Sequence, residues 1–148
     1  MAYTLVYRLL TKGKDRQIAC AGDARAEMGD ALDGLDHEEL HAMYLDREHR
    51  MLETRLIASG NAGSVEIRAA AVLSRALALE AAAIIIAHNH ISGSPVPSAA
   101  DITETERLKQ ACDIVGVTLT DHIIVAGPQC FSFAEGMLPN RKRPEEYI

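Results

Sequence analysis

Tryptophan is absent from this chain of 148 residues, and aromatic residues make up only 4% of it. The hydrophobic core must therefore consist mainly of aliphatic side chains and alanine. Cysteine is also scarce: Cys20, Cys112 and Cys130 are the only three, and no two of them form a CxxC pair. Because this number is odd and a chain of this length buries a core without disulfide staples, we expect buried, reduced thiols.

Clustered basic residues are nearly absent as well, and the formal net charge is −6. The single dense basic run is Arg141-Lys142-Arg143, and two glutamates follow shortly after it. We interpret residues 139–148 as a polar, solvated C-terminal tail. Since affinity for nucleic acid depends on clustered lysine and arginine, we do not expect direct binding to nucleic acid.

Apolar runs are too short to cross a bilayer, which takes about 20 consecutive residues. The most apolar stretch, residues 69–87, is interrupted by Ser74, Arg75 and Glu80. The N-terminus shows no basic segment followed by an apolar stretch, which is the pattern of a signal peptide. We therefore expect a cytoplasmic protein that makes no contact with a membrane.

What the chain does contain is a regular alternation of strand and helix patterns. Its length corresponds to about one domain, and 48% hydrophobic with 24% charged residues is typical of a globular protein. Strands are predicted near residues 3–7, 40–45, 51–58, 81–87, 117–126 and 131–133, and helices at 23–34, 67–80 and 99–115. The run at 81–87 is apolar throughout, which indicates a central strand covered on both faces. The alternation predicts a layered α/β or α+β sandwich.

The third predicted helix has clear ends. Ser98 precedes it and Gly116 follows it, and these residue types are preferred at the start and the end of a helix. We expect it to bury one apolar face, which consists of Leu108, Ala111, Cys112 and Val115.

His88 and His90 lie two residues apart at the end of the predicted central strand. Side chains two apart on a strand point the same way, so both imidazoles can be aimed at one point. Asp101, in the first turn of the next helix, offers a third ligand. Two imidazoles and one carboxylate leave a tetrahedral Zn²⁺ with one open position, as catalytic zinc sites have. Water there is acidified towards a pKa of about 7 and becomes a nucleophile at neutral pH.

The same region has plainer interpretations. Ser98 and Asp101 are spaced as a helix capping box, although capping and metal coordination by Asp101 are compatible. The pair Asp121-His122 either orients a metal ligand or simply makes a hydrogen bond at a strand end, and both interpretations carry equal weight.

Hydrolysis also needs a general base. The residues alone leave four candidates for it, namely Glu38, Glu39, Glu53 and Glu80.

The segment from His88 to Asp101 reads HNHISGSPVPSAAD. It resembles the JAMM signature of the JAB/MPN metalloprotease superfamily, and in particular the RadC-type branch, whose members read HNHPSGDPxPSxxD. The similarity covers residues 36–138. Outside the signature it is carried by residues 38–46, 76–79, 121–125 and 131–133.

This resemblance implies a cytidine-deaminase-like, three-layer α-β-α sandwich with a mixed central sheet. It places the JAB/MPN domain at residues 36–138, with residues 1–35 as a strand and helix extension packed on it. It also implies that His88, His90 and Asp101 hold zinc.

The resemblance further assigns two catalytic residues. An upstream glutamate activates the water on zinc, and by its distance from Leu45-Asp46 this glutamate is Glu38. Its neighbour Glu39 is the match if the register slips by one residue. Ser98 would donate a hydrogen bond to the oxyanion that forms during the reaction, a contribution of about 3 kcal/mol for donors of this kind.

Three departures from the family pattern are visible. Ile91 stands in place of the proline after the second histidine, and Ser94 in place of an acidic residue. Ala69-Ala70-Ala71 occupies the place of the usual Pro-Arg-Glu. None of these residues is a ligand, so we expect metal binding to be retained. The departures bear on the rigidity of the loop and on a substrate contact of the missing arginine.

Two classes of function are consistent with this pattern. The first is a zinc-dependent peptidase or isopeptidase that acts on a protein or peptide substrate. The second is a non-catalytic JAB/MPN interaction module, or an accessory protein in DNA repair or recombination. Because the three ligands and the glutamate are all present, we favour the hydrolase. A homodimer is left open.

Overall fold

The computed structural model of the protein describes residues 4–13, 15–60 and 66–136, with side chains from residue 8 onward. Part of the strand predicted at residues 3–7, the predicted tail at 139–148 and its basic run lie outside the described residues. Within them, each predicted helix and strand has a counterpart. The elements are β1 (Thr4–Lys12), α1 (Ala21–Leu32), β2 (Glu38–Leu45), β3 (Met51–Gly60), α2 (Ala69–Ala78), β4 (Ala83–Asn89), α3 (Ala99–Val115), β5 (Thr118–Ala126) and β6 (Gln129–Ser132).

The six strands form one mixed sheet in the order β1-β3-β2-β4-β5-β6. Only β4 and β5 are parallel, and every other neighbouring pair is antiparallel. A parallel pair needs a crossover connection, and α3 supplies it between these two strands. The predicted mixed central sheet is therefore confirmed, and the crossover begins directly after the end of β4.

Helices cover both faces of the sheet, so the domain has three layers. On one face α2 and α3 pack on the sheet through a cluster that includes Val72, Leu108 and Ile86. On the opposite face α1 packs through a second cluster, which includes Met28 and Ile85. Both clusters consist mainly of aliphatic residues and alanine, as the scarcity of aromatic residues predicts. The α-β-α sandwich is confirmed, while its likeness to cytidine deaminases stays a prediction.

Strand β4 is the centre of the molecule. All seven of its residues are buried, which confirms the expectation that it is covered on both faces. It begins two residues later than predicted, at Ala83, and continues to Asn89, so that His88 is part of the strand. Leu40 of β2 lies directly opposite His88, and residues opposite each other in a sheet share a face.

Two expectations about apolar residues and thiols are wrong in part. The buried stripe of α3 ends at Cys112, and Val115 is 42% exposed, because it is the last helical residue before Gly116 turns the chain towards β5. Gly116 adopts the left-handed conformation (φ 81°), which glycine tolerates better than other residues at a helix end.

Cys112 and Cys130 are buried and free, but Cys20 is exposed because it lies just before the first turn of α1.

None of the helices in the described ranges is both long and apolar enough to cross a membrane.

Candidate metal centre

His88, His90 and Asp101 come together where β4 ends and α3 begins. One ligand atom from each residue can be chosen so that all three lie within 4.8 Å of one another. His88 and Asp101 are almost completely buried, and the His90 side chain is 14% exposed. The three residues could therefore hold a metal ion, and His90 is the member of the group that reaches the surface.

Local structure explains why the three residues meet. His88 is on β4, and His90 follows the strand at a position two residues further along. Asp101 is the third residue of α3, which follows the strand after a connection formed by residues 90–98. Ser98 and Asp101 form a complete capping box: the Ser98 hydroxyl accepts from the Asp101 amide at 3.0 Å, and Asp101 Oδ2 accepts from the Ser98 amide at 2.9 Å. The cap holds the carboxylate in place beside the histidines.

The buried Nε2 atom of His88 is the strongest sign that a cation fits this site. Among the described residues it has no hydrogen-bond partner, and it lies 3.4 Å from Asp101 Oδ1 without hydrogen-bond geometry. Buried polar atoms are nearly always satisfied, so an orphaned imidazole nitrogen facing a carboxylate oxygen requires an explanation. An ion held by both atoms supplies one, and nitrogen and carboxylate donors suit zinc.

His90 is held from both sides. Its Nδ1 donates to the carbonyl oxygen of Ser94 at 2.9 Å, and its Nε2 lies 3.0 Å from Asp101 Oδ2. Burial acts to lower the pKa of His90, but the hydrogen bonds to Asp101 and Ser94 and the negative charges of Asp101 and Glu38 act more strongly and raise it. A metal ion would replace a proton at Nε2.

The pKa values of the two most buried residues of the group, His88 and Asp101, are lowered rather than raised. Burial lowers the pKa of His88, although Asp101 acts to raise it. Burial also acts to raise the pKa of Asp101, but the nearby His88 and His90 imidazoles, together with the hydrogen bond from the Ser98 amide, hold that pKa far below its usual range. A neutral His88 and an ionised Asp101 are the protonation states that a metal ion requires.

The four candidate glutamates occupy very different places. Glu38 is buried, shares the sheet face of Leu40 and His88, and is close enough for its charge to raise the pKa of His90. Glu39 points to the other face, where its two oxygens bind His37 and His41 at 2.8 Å each. The structure therefore brings Glu38 to the metal group and keeps Glu39 away from it.

The other two glutamates are remote from this group in the fold. Glu53 lies on β3 and forms ion pairs with Arg55 and with Arg75 of α2, the latter at 2.8 Å. Glu80 is exposed in the turn after α2 and has a positive φ of 53°.

Ser98 lies at the start of α3, beside Asp101. Its oxygen accepts from the Asp101 amide, and that hydrogen bond does not use the hydroxyl proton. None of the three departures from the family pattern falls on a residue of the candidate ligand group. Ile91 is 42% exposed in the loop, and Ser94 holds His90 through its main-chain carbonyl, a contact that any side chain at this position would allow. The Ala69-Ala70-Ala71 segment forms the first turn of α2.

The two interpretations of the pair Asp121-His122 each apply to one of its residues: His122 contacts a candidate ligand, and Asp121 makes hydrogen bonds within the sheet. His122 contacts a candidate ligand: its Nε2 lies 2.8 Å from Nδ1 of His88. Asp121 does not, because its carboxylate accepts from Ser132 Oγ and from the amides of His122 and Ala134. The acid thus links β5 to the end of β6, while the histidine lies behind the metal group.

Asp121 provides a test of these electrostatics. Burial raises its pKa to about 6, although three hydrogen bonds act to lower it. The folded protein therefore binds this proton more tightly than the unfolded chain, whose carboxyl titrates near 3.8. Stability from this group is present below pH 3.8 and is lost as the pH rises through 6.

We expect Asp121→Asn to remove this pH-dependent loss of stability. Between pH 4 and pH 7, the free energy of unfolding of the variant should therefore rise by about 2 kcal/mol relative to that of the wild type. Urea unfolding of the metal-free proteins at several pH values measures the difference. Asp113→Asn, at an exposed position on α3, is the matched control and should show no such trend. A constant difference between Asp121→Asn and the wild type across this range would contradict the prediction.

Fold and site together define a class of protein: a three-layer α+β domain in which a strand end and a helix start bring two histidines and an aspartate together. A family model described as a RadC-like JAB domain matches residues 18–138. The chain belongs to the RadC-like JAB domain family. The match begins within the segment predicted as an N-terminal extension, and the division of the chain at residues 35 and 138 stays a prediction.

Relatives of this family are found in several bacteria. The chain is 43% identical over 102 residues to the UPF0758 protein YfjY of Escherichia coli K12. The matched residues make up 69% of this chain and 64% of that protein. It is 45% identical over 98 residues to a UPF0758 protein of Aquifex aeolicus, and the match covers 66% of this chain and 42% of that protein. A UPF0758 protein of Coxiella burnetii is 35% identical over 139 residues, and the match covers 93% of this chain and 62% of that protein. The chain thus spans less than two thirds of the length of these three relatives.

Proposed function

We propose that the protein is a zinc-dependent hydrolase that cleaves an amide bond in a protein or peptide substrate, as either a peptidase or an isopeptidase. The observation that carries this proposal is the buried Nε2 of His88, which lacks a hydrogen-bond partner in the part of the chain that the structure describes and faces the Asp101 carboxylate within a group that also contains His90. Membership of a JAB family, whose superfamily includes metallohydrolases, supports the same conclusion.

His88, His90 and Asp101 would hold the zinc ion. When bound, zinc supplies Lewis-acid polarisation of the substrate carbonyl and lowers the pKa of water. Because the group offers only three protein ligands, a bound zinc ion would keep a position for water or substrate. His90, the partly exposed ligand, marks the side from which a substrate enters.

Glu38 is proposed as the general base and acid. Its carboxylate is buried on the sheet face that carries the metal group, and it takes the proton of the attacking water. It then gives this proton to the amine nitrogen as the carbon–nitrogen bond breaks. The expelled amine is thereby neutral, and the carboxylate is restored for the next cycle.

Ser98 is proposed to stabilise the oxyanion. Its oxygen is already held by the Asp101 amide, which fixes the hydroxyl at the edge of the metal group. The hydroxyl proton can then be donated to the negative oxygen that develops on the substrate carbonyl. A donor fixed before the reaction loses little entropy when it acts, which is why such contacts favour the transition state.

Metal analysis and a chelator experiment test the proposal. We expect about one zinc ion per chain after purification without chelator, because the group offers one set of three ligands. A mixture of internally quenched peptides and a lysine-linked isopeptide should be cleaved, cleavage should stop when the metal is removed with phenanthroline, and added zinc should restore it. A protein that binds zinc and cleaves neither substrate class would favour an interaction module, and one that binds no zinc would overturn the proposal.

A further inference from the structure

A continuous chain of hydrogen bonds links the two buried ligands behind the metal group. Nδ1 of His88 lies 2.8 Å from Nε2 of His122, and Nδ1 of His122 lies 2.6 Å from Oγ1 of Thr105. Thr105 Oγ1 in turn lies 2.6 Å from the main-chain carbonyl oxygen of Asp101. The chain thus begins at one candidate ligand and ends on the backbone of another.

The chemistry of the groups fixes the direction of every hydrogen bond. A carbonyl oxygen only accepts, so the single proton of the Thr105 hydroxyl must be donated to Asp101. Thr105 Oγ1 therefore accepts from His122, which places the proton of that imidazole on Nδ1. Nε2 of His122 is then an acceptor, because burying a charged imidazole against a neutral hydroxyl and a second imidazole is costly. His88 must donate to it through Nδ1.

The consequence appears at the far side of the His88 ring. With its proton on Nδ1, neutral His88 carries a lone pair on Nε2, the buried atom that faces Asp101 and for which residues 4–13, 15–60 and 66–136 offer no hydrogen-bond partner. We propose that His122 and Thr105 are positioning residues that hold His88 in the Nδ1–H tautomer, with its Nε2 lone pair directed at the metal position. The inference rests on the metal site of the proposed function.

The surroundings of His122 fit this role. The residue is completely buried, and its ring stacks on Phe133 with a centroid distance of 4.7 Å and an interplanar angle of 6°. Stacking fixes the plane of the ring, and the two hydrogen bonds fix its rotation within that plane. Thr105 is also buried, on the turn of α3 that follows Asp101. A rigid histidine of this kind sets the orientation and the tautomer of the ligand in front of it.

Metal affinity of side-chain variants provides the first test. Thr105→Val keeps the shape of the side chain but removes the acceptor for His122, and we expect it to weaken zinc binding about 10-fold or more. His122→Phe keeps the ring but removes the acceptor for His88, and the expected loss is about 10- to 100-fold. Thr105→Ser, which keeps the hydroxyl, should bind zinc nearly as well as the wild type. Competition with a chromophoric chelator measures each dissociation constant.

Ser132→Ala is the matched control. It removes another buried hydroxyl and its hydrogen bond to Asp121, but it does not belong to the chain behind His88. We expect it to leave zinc affinity unchanged, and the visible absorption of bound Co²⁺ should change in Thr105→Val but not in Ser132→Ala. Equal zinc affinity of the wild type, Thr105→Val and His122→Phe would overturn the inference while leaving the proposed hydrolase intact.

The tautomer can also be read without any variant or metal. Nitrogen-15 NMR of the imidazole groups in the metal-free wild-type protein at neutral pH should show His88 and His122 both protonated at Nδ1. A His88 proton on Nε2 would overturn the inference even if the variants failed to fold. If the wild type binds no zinc, the proposed function fails, and this spectrum still decides whether the hydrogen-bond chain sets the tautomer.

Discussion

Asp101→Asn should weaken zinc binding by about 100-fold or more, and His88→Ala should weaken it at least as much. The amide of asparagine keeps the shape of the carboxylate and can still accept from the Ser98 amide, so α3 keeps its cap. The negative charge is lost, however, and the carboxylate oxygen that faces His88 at 3.4 Å becomes neutral or is replaced by an amide nitrogen. The variant should therefore fold but fail to retain the ion.

Competition with a chelator of known affinity measures this effect, and circular dichroism reports on the fold. Asp113→Asn is the matched control, since it removes an exposed carboxylate from the same helix. Zinc affinity of the wild type should fall as the pH is lowered, because a proton competes for Nε2 of His90, whose pKa is raised. If Asp101→Asn bound zinc as tightly as the wild type, the three residues would not be the ligand set.

Glu38→Gln should lower kcat by about 10²- to 10⁴-fold, which is the usual contribution of a general base, while zinc binding is kept. Glutamine preserves the volume of the buried side chain but cannot take a proton from water. The measurement is cleavage of the peptide or isopeptide substrate by wild type and variant, both loaded with the same amount of zinc. Metal analysis of the same samples separates a loss of chemistry from a loss of metal.

Glu39→Gln supplies the matched control for this experiment. The two residues are neighbours, but Glu39 binds His37 and His41 on the opposite face of the sheet. We expect Glu39→Gln to retain most of the activity and to show at most a change in stability. Full activity in Glu38→Gln together with a large loss in Glu39→Gln would exchange the two assignments.

The element order and the three candidate ligands could be predicted from local patterns in the amino-acid sequence. Alternation along a strand places His88 and His90 on one side, and the capping pattern of Ser98 and Asp101 places the carboxylate in a first helical turn. These are properties of neighbouring residues. The failures in the fold, at Cys20 and Val115, occurred at the ends of helices, where helical periodicity no longer fixes whether a residue is buried.

The surroundings of the ligands could not be predicted in the same way. Glu38 and Glu39 are equally acidic and adjacent, and only the pairing of β2 with β4 shows which one shares a face with His88. His122 is separated from His88 by 34 positions, and no local pattern connects them. The parallel pairing of β4 with β5 brings their rings together, which is a consequence of the crossover through α3.

The amino-acid sequence by itself determined the secondary structure, the layered class of the fold and the ligand spacing, because these follow from side-chain periodicity and helix capping over a few residues. Residue types left the choice of glutamate open and the family resemblance pointed to Glu38, but only the tertiary structure decided which glutamate shares the face of the ligands and which histidine stands behind them. The physical reason is that strand pairing joins segments far apart in the chain, and a shift of one residue exchanges the two faces of a sheet.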